Sequence, residues 1–173
     1  MKALLMMAAV AATLTSAAAM ADASSDLATQ AAASYAKRDY SNSGASSAKD
    51  AADLFSKAAA AATTPSDKAK DLVGQSEALY FVGDATANND VKIDMFNKGM
   101  IAADGAAKAL GVSDIPTVSD SALLSAKAKL SADDLKVLAE ALYQRGANLG
   151  QWGQANGVVQ SLGKWAELRR NME

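Results

Sequence analysis

Residues 91–110 read VKIDMFNKGMIAADGAAKAL, a run without Pro. Set at roughly 100° per residue, Ile93, Phe96, Met100, Ala103, Ala107 and Leu110 fall on one arc, and Val91, Met95, Ala102, Ala106 and Ala109 on an adjoining one. Asp94, Lys98, Asp104 and Lys108 fill the remainder. The apolar arc is about 200° wide, whereas a helix on the outside of a small bundle needs about 100°. The segment is therefore a helix packed on two sides, as the inner members of a row of stacked helix pairs are. Gly111 closes it, with Pro116 beyond.

The rest of the chain agrees with this reading. Ala leads the helix-propensity scale and dominates the composition, there are only 2 Pro, and aromatic residues make up 5% of the 173 positions. The expected core is Ala-rich with closely approaching backbones. The chain has neither Cys nor His. Ordinary zinc and haem sites, a Cys nucleophile, a Ser-His-Asp triad and a disulfide framework are excluded. With 17 basic against 19 acidic side chains and no Lys/Arg block, neither nucleic acid nor an anionic membrane surface is an expected partner.

The N-terminal segment reads as a cleaved secretory signal. Lys2 supplies the basic start and Ala3 to Leu14 an apolar stretch too short to span a bilayer; Ala19 and Ala21 stand at the −3 and −1 positions before Asp22. Residues 1–21 are assigned to the signal and 22–173 to a single helical-repeat domain. A second cleavage possibility lies at Ala17-Ala18-Ala19. No Cys follows the apolar run for lipid attachment, so the expected product is free in an extracytoplasmic space, most simply a periplasm, without a membrane anchor.

Within the domain, helices are expected at Asp26 to Arg38, Lys49 to Ala62, the segment after Thr64-Pro65-Ser66-Asp67 with Gly83 as its C-terminal cap, and Val91 to Leu110. A short helix near Ser121 to Lys129, one from Ala132 to about Leu149 behind the capping sequence Ser131-Ala132-Asp133-Asp134, and two shorter ones, Gln151 to Leu162 and Lys164 to Met172, complete the set. Tyr40 to Ser47 reads as a polar loop. Ala51-Ala52-Asp53 with Lys57-Ala58 recurs about fifty residues on as Ala102-Ala103-Asp104 with Lys108-Ala109, longer than the 34-residue tetratricopeptide period. Phe55 with Ala51 and Ala58 fits the second helix of such a unit, while Tyr35, Tyr80 and Tyr143 fall in first helices. The expected fold class is all-α, a degenerate tetratricopeptide-like stack of helix pairs (an α-solenoid) of about six to eight helices.

Two blocks carry a family resemblance. Ala139-Glu140-Ala141-Leu142-Tyr143-Gln144-Arg145-Gly146-Ala147-Asn148-Leu149-Gly150-Gln151-Trp152-Gly153, followed by Gly157-Val158-Val159 and Leu162, resembles the C-terminal signature of the T component family of TRAP transporters. Asn97-Lys98-Gly99-Met100 running into Ala106-Ala107-Lys108-Ala109-Leu110 is similar to that family's middle helix. The resemblance implies an extracytoplasmic protein of tetratricopeptide-like helix pairs that works beside the solute-binding subunit of a tripartite organic-acid transporter. A homo-oligomer is compatible with it.

The candidate partner- or ligand-facing residues are Tyr80, Tyr143, Arg145, Asn148 and Trp152. Arg145 lies at the edge of the Leu135, Leu138, Leu142, Leu149 stripe, where it either binds a carboxylate bidentately or extends from the helix to a neighbouring acid. The aromatic residues serve either as stacking surfaces or as core filler. Gly146, Gly150, Gly153 and Gly157 point to a close backbone crossing, since each costs about 1 kcal/mol relative to Ala inside a helix. Asp84 to Asp90 superficially resembles a calcium loop, but position six is Asn89 and position twelve is Met95 where a bidentate Glu is needed; Asn88-Asn89 reads instead as a turn tolerating left-handed backbone angles. No metal, cofactor or enzymatic activity is expected. The alternative to an interaction protein is a carrier of organic acids or apolar ligands in a helical cleft, or a catalyst using paired carboxylates such as Glu77 and Glu140.

Overall fold

The computed structural model describes residues 2–113, 115, 120–164 and 169, with side chains from residue 19 onward apart from those of 120, 158 and 160. These residues form the helices α1 Lys2–Tyr35, α2 Asn42–Ala61, α3 Pro65–Ala85, α4 Asn89–Ala109, α5 Asp120–Lys127, α6 Ala132–Asn156 and α7 Val158–Leu162, and no strand is found among them. The protein is all-helical.

Short polar side chains start the helices. Ser41 accepts from Gly44 N, Thr64 from Asp67 N, Asn88 from Asp90 N and Val91 N, and Ser131 from Asp134 N, each satisfying donors that the first turn leaves open. The end of α4 is equally specific. Gly111 takes φ 84°, its N–H donates to Lys108 O at 3.0 Å, and Val112 N donates to Ala107 O at 2.9 Å, which is the Schellman arrangement. Val112 is thereby folded back into the core.

The helix boundaries differ from expectation in four places. Tyr40 to Ser47 is not one loop: α2 begins at Asn42, because Asp39 Oδ1 accepts from Ser41 N at 2.8 Å and sets Ser41 as a cap, while Gly44 packs on Asp39 with no room for a side chain. Gly83 does not end α3. The helix runs on to Ala85, and Gly83 receives the ring of Phe96, whose Cε1 would lie 2.7 Å from an added Cβ. Helix α6 passes unbroken through Leu149, Gly150 and Trp152 and stops at Gly157, with φ 92°. Its inward face continues to pack, which offsets the modest propensity cost of the glycines. Helix α1 extends upstream of Asp26 to Lys2, as its Ala content allows. Pro116 and most of the expected helix from Lys164 to Met172 lie outside the described residues.

Packing follows chain order. α1 lies on α2, α2 on α3, α3 on α4, α4 on α6 and α6 on α7; α3 also touches α6 and, more lightly, α1. Helix α4 thus has α3 on one side and α6 on the other, as its wide apolar arc requires. One core cluster joins α3, α4 and α6 through Val73, Ala107, Leu110, Val137 and Leu138, closed by Val112 and Ile115. A second joins α2 and α3 through Ala51, Ala52, Ala78 and Leu79. Among the described residues Phe96 is the largest fully buried side chain, and most of the other buried apolar residues are Ala. In α1, residues 19–23 are exposed and Ser24 is buried, its hydroxyl donating to Ala58 O at 3.1 Å.

Candidate functional site

Helix α6 carries four of the five candidate residues and divides them between two faces. Arg145 and Asn148 point inward and are 3% and 0% exposed. Arg145 Nε donates to Asp104 Oδ1 of α4 at 2.6 Å. Asn148 Nδ2 donates to Ser76 Oγ of α3 at 3.2 Å and to Gln144 O at 2.8 Å; Ser76 in turn donates to Gly99 O of α4 at 2.8 Å. A polar seam thus runs through the α3, α4 and α6 core. Gly99 belongs to it for a steric reason, because an added Cβ would collide with the Asn148 amide. Asn148 Oδ1 has no hydrogen-bond partner among the described residues.

Tyr143 lies two positions from both Ala141 and Arg145, so it projects from the opposite side of α6 and is 69% exposed. Tyr80 is half-buried beside Phe96, with ring centroids 5.8 Å apart, and its hydroxyl accepts from Gln151 Nε2 at 3.4 Å. Trp152 is half-buried, with Nε1 enclosed and no partner for it among the described residues. Tyr80, Asn148 and Trp152 therefore line the α3/α6 side, whereas Tyr143 faces away. The two carboxylates do not pair. Glu77 accepts from Tyr35 OH at 3.2 Å, and Glu140 lies exposed on the outer face of α6. Burial and the Glu77 charge push the Tyr35 hydroxyl well above its ordinary range.

Of the glycines expected at a close crossing, Gly150 and Gly153 differ. A Cβ at Gly150 would meet nothing within 4 Å, and one at Gly153 would meet Ser161 Oγ at 3.0 Å. Gly146 is buried in α6, and tight approaches between helices also lie at Gly74, Gly83 and Gly99. Asp84 to Asp90 is a helix junction in which Asp84 Oδ2 accepts from Tyr40 OH at 2.8 Å, Thr86 ends α3 and Asn88 caps α4. Asn88 has φ −80°, so it acts through its side chain as a cap and not through a left-handed backbone.

Two concavities lie among the described residues. A groove of about 570 Å³ between α2 and α4 is floored by Leu72, Gln75 and Leu79 of α3 and walled in part by Ala52, Met95 and Ile101. Lys49 and Lys98 stand at its rims, paired with Asp53 at 3.0 Å and Asp94 at 2.7 Å. A smaller cleft of about 360 Å³ is lined by Ala21, Ser24, Ser25 and Ala28 of α1 together with Thr63, Asp67, Lys70 and Asp71. Asp71 is 6% exposed, and burial, reinforced by the Asp67 charge, pushes its carboxyl up to about 6 against the pull of Ser24 and Lys70. Sequence reasoning had no hold on Asp71, which is a polar residue on the flank of an apolar stripe. Ser76 stands at helical spacing with Ala69, Leu72, Val73, Leu79 and Tyr80, and a hydroxyl among these apolar positions was its only signal.

Among the described residues no group of three or more acidic side chains is placed to hold a metal ion, and no helix is long and apolar enough to cross a membrane. Comparison of the chain with family models, curated proteins and solved structures finds no match.

Proposed function

We propose that the chain is a degenerate tetratricopeptide-like stack of helix pairs that is exported and acts as an interaction protein beside the solute receptor of a TRAP-type organic-acid transporter. The supporting observation is the order of contacts. α2 packs on both α1 and α3, α4 packs on both α3 and α6, and α3 touches α6 directly and α1 lightly. Such alternating contacts support a reading as first and second helices of stacked pairs. The resemblance of residues 139–153 and 97–110 to the T component family directs the choice of partner. In this reading the protein has no catalytic role, and Tyr143 is the first anchor to examine, since exposed aromatic side chains carry much of the energy of such interfaces.

The test is a titration of the purified protein with a TRAP solute receptor encoded beside it. Binding of modest affinity, weakened by Tyr143→Ala with the melting temperature unchanged, supports the proposal. Absence of binding to that receptor removes it. The groove between α2 and α4 favours a second reading, a carrier of amphipathic organic acids, because its apolar floor lies between two lysines. Tight capture of an organic acid by the isolated protein, abolished by Leu79→Glu, would establish the carrier in place of the scaffold.

A further inference from the structure

The cleft between α1 and α3 holds a carboxylate in an unfavourable setting. Asp71 is almost fully enclosed, and the nearest cation on its own helix, Lys70, is turned toward Asp67 with its Nζ 3.8 Å from Asp67 Oδ1 and half its side chain in solvent. Opposite stand Ala21, Ser24, Ser25 and Ala28, spaced so that they share one face of α1. Ala21 is the last residue of the expected signal segment, and Ser24 is the first buried position after it. The amide nitrogen of Asp22 is bonded directly to the carbonyl carbon of Ala21, a residue that lines the cleft.

In the uncut chain that nitrogen is a neutral peptide N–H inside a continuous helix. Hydrolysis of the Ala21–Asp22 bond consumes one water and converts it to a free amine that is protonated at neutral pH; the carboxylate formed on Ala21 leaves with the signal segment. The same cut opens the first-turn N–H groups of the shortened helix, which adds positive potential at that end.

We propose that cleavage between Ala21 and Asp22 frees an α-ammonium group that enters this cleft and pairs with Asp71, so that processing completes the docking of α1 on α3. The inference rests on the exported reading of the chain but concerns a different property, the coupling of processing to folding. In the uncut protein the first helix faces a buried carboxylate whose burial is offset only by the Ser24 hydroxyl and the half-exposed Lys70. The processed protein seats that helix with an ion pair that only the cut can create.

The experiment compares protein recovered from the periplasm of a secreting host with uncut chain purified from the cytoplasm. N-terminal sequencing of the exported form should begin at Asp22; a start at any other residue overturns the proposal at the cut itself, whether or not a receptor is ever found. Asp71→Asn is then introduced into both forms. It should change the unfolding midpoint of the processed chain by about 2–4 °C in the destabilising direction relative to its effect on the uncut chain. An equal effect in the two forms overturns the pairing while leaving export intact. A second readout does not depend on stability. Pairing holds the α-amino group protonated to higher pH than the usual 7.7–8.0, so Asp71→Asn should raise its acylation rate at pH 7 by roughly three- to tenfold. An unchanged rate also overturns the pairing.

Discussion

Asn148 of α6 and Ser76 of α3, 72 positions apart in the chain, meet at 3.2 Å inside the core, and the Asn148 amide lies over the bare Cα of Gly99. The three residues are sterically coupled. Gly99→Ala should destabilise the protein by about 1–3 kcal/mol, because the added methyl must displace a buried amide. Asn148→Ala should cost a similar amount through the cavity and the lost bond to Ser76. The double variant should cost clearly less than the sum of the two, since truncating Asn148 makes room for the methyl. Urea unfolding of the four proteins measures the cycle, and simple additivity would refute the steric coupling.

Gly83 and Gly150 are both helical glycines, and they should respond oppositely to Ala. At Gly150 the methyl meets nothing within 4 Å, so the propensity gain of about 1 kcal/mol should appear as added stability. At Gly83 the methyl would press on Phe96, and the overpacking cost of about 1–3 kcal/mol should outweigh that gain. Thermal melts of the two variants decide the matter by sign alone.

Asp71 makes the stability of the uncut chain depend on pH. Its folded carboxyl titrates near 6 against 3.8 for the ordinary group, so the folded state binds the proton more tightly. Its contribution is favourable below the unfolded value and is lost as pH rises through about 4 to 6. Asp71→Asn in the uncut protein should therefore raise stability at pH 7 by about 1–3 kcal/mol and give little gain at pH 3.5. Unfolding midpoints across this range, with and without the substitution, test the window.

The Arg145–Asp104 contact places a guanidinium that is 4% exposed against a carboxylate that is 40% exposed. Removing the acid leaves the buried cation less well neutralised, so Asp104→Ala should destabilise the protein by up to about 3–5 kcal/mol, less where water reaches the vacated site. Arg145→Met keeps volume and removes the charge, and combined with Asp104→Ala it should recover much of the loss. Unfolding free energies of the three variants check the order.

Helix content and the two-sided burial of α4 were legible in the sequence, because periodicity over twenty residues reports directly on how many faces are apolar. The glycines were not. Gly83 and Gly150 look alike in sequence, and what separates them is whether another helix brings a ring to that point. Arg145 could be read only as a choice between a ligand and a paired core cation; its contact to Asp104 crosses 41 positions and depends on helix order. Tyr143, Arg145 and Asn148 are close in sequence, yet the helical turn sends the first outward and the other two inward. Their proximity carried no information about a shared site.

Among the described helices α3 touches α1, α2, α4 and α6 and is a hub, whereas α1 rests mainly on α2 at one end of the contact order. Amide protons of α3 can exchange with solvent only when the whole assembly opens, so their protection should match the global unfolding free energy. Those of α1 should exchange through a smaller, earlier opening in which that helix lifts away alone. Exchange in that order would make the first helix an independently opening unit on a cooperative block of the remaining helices.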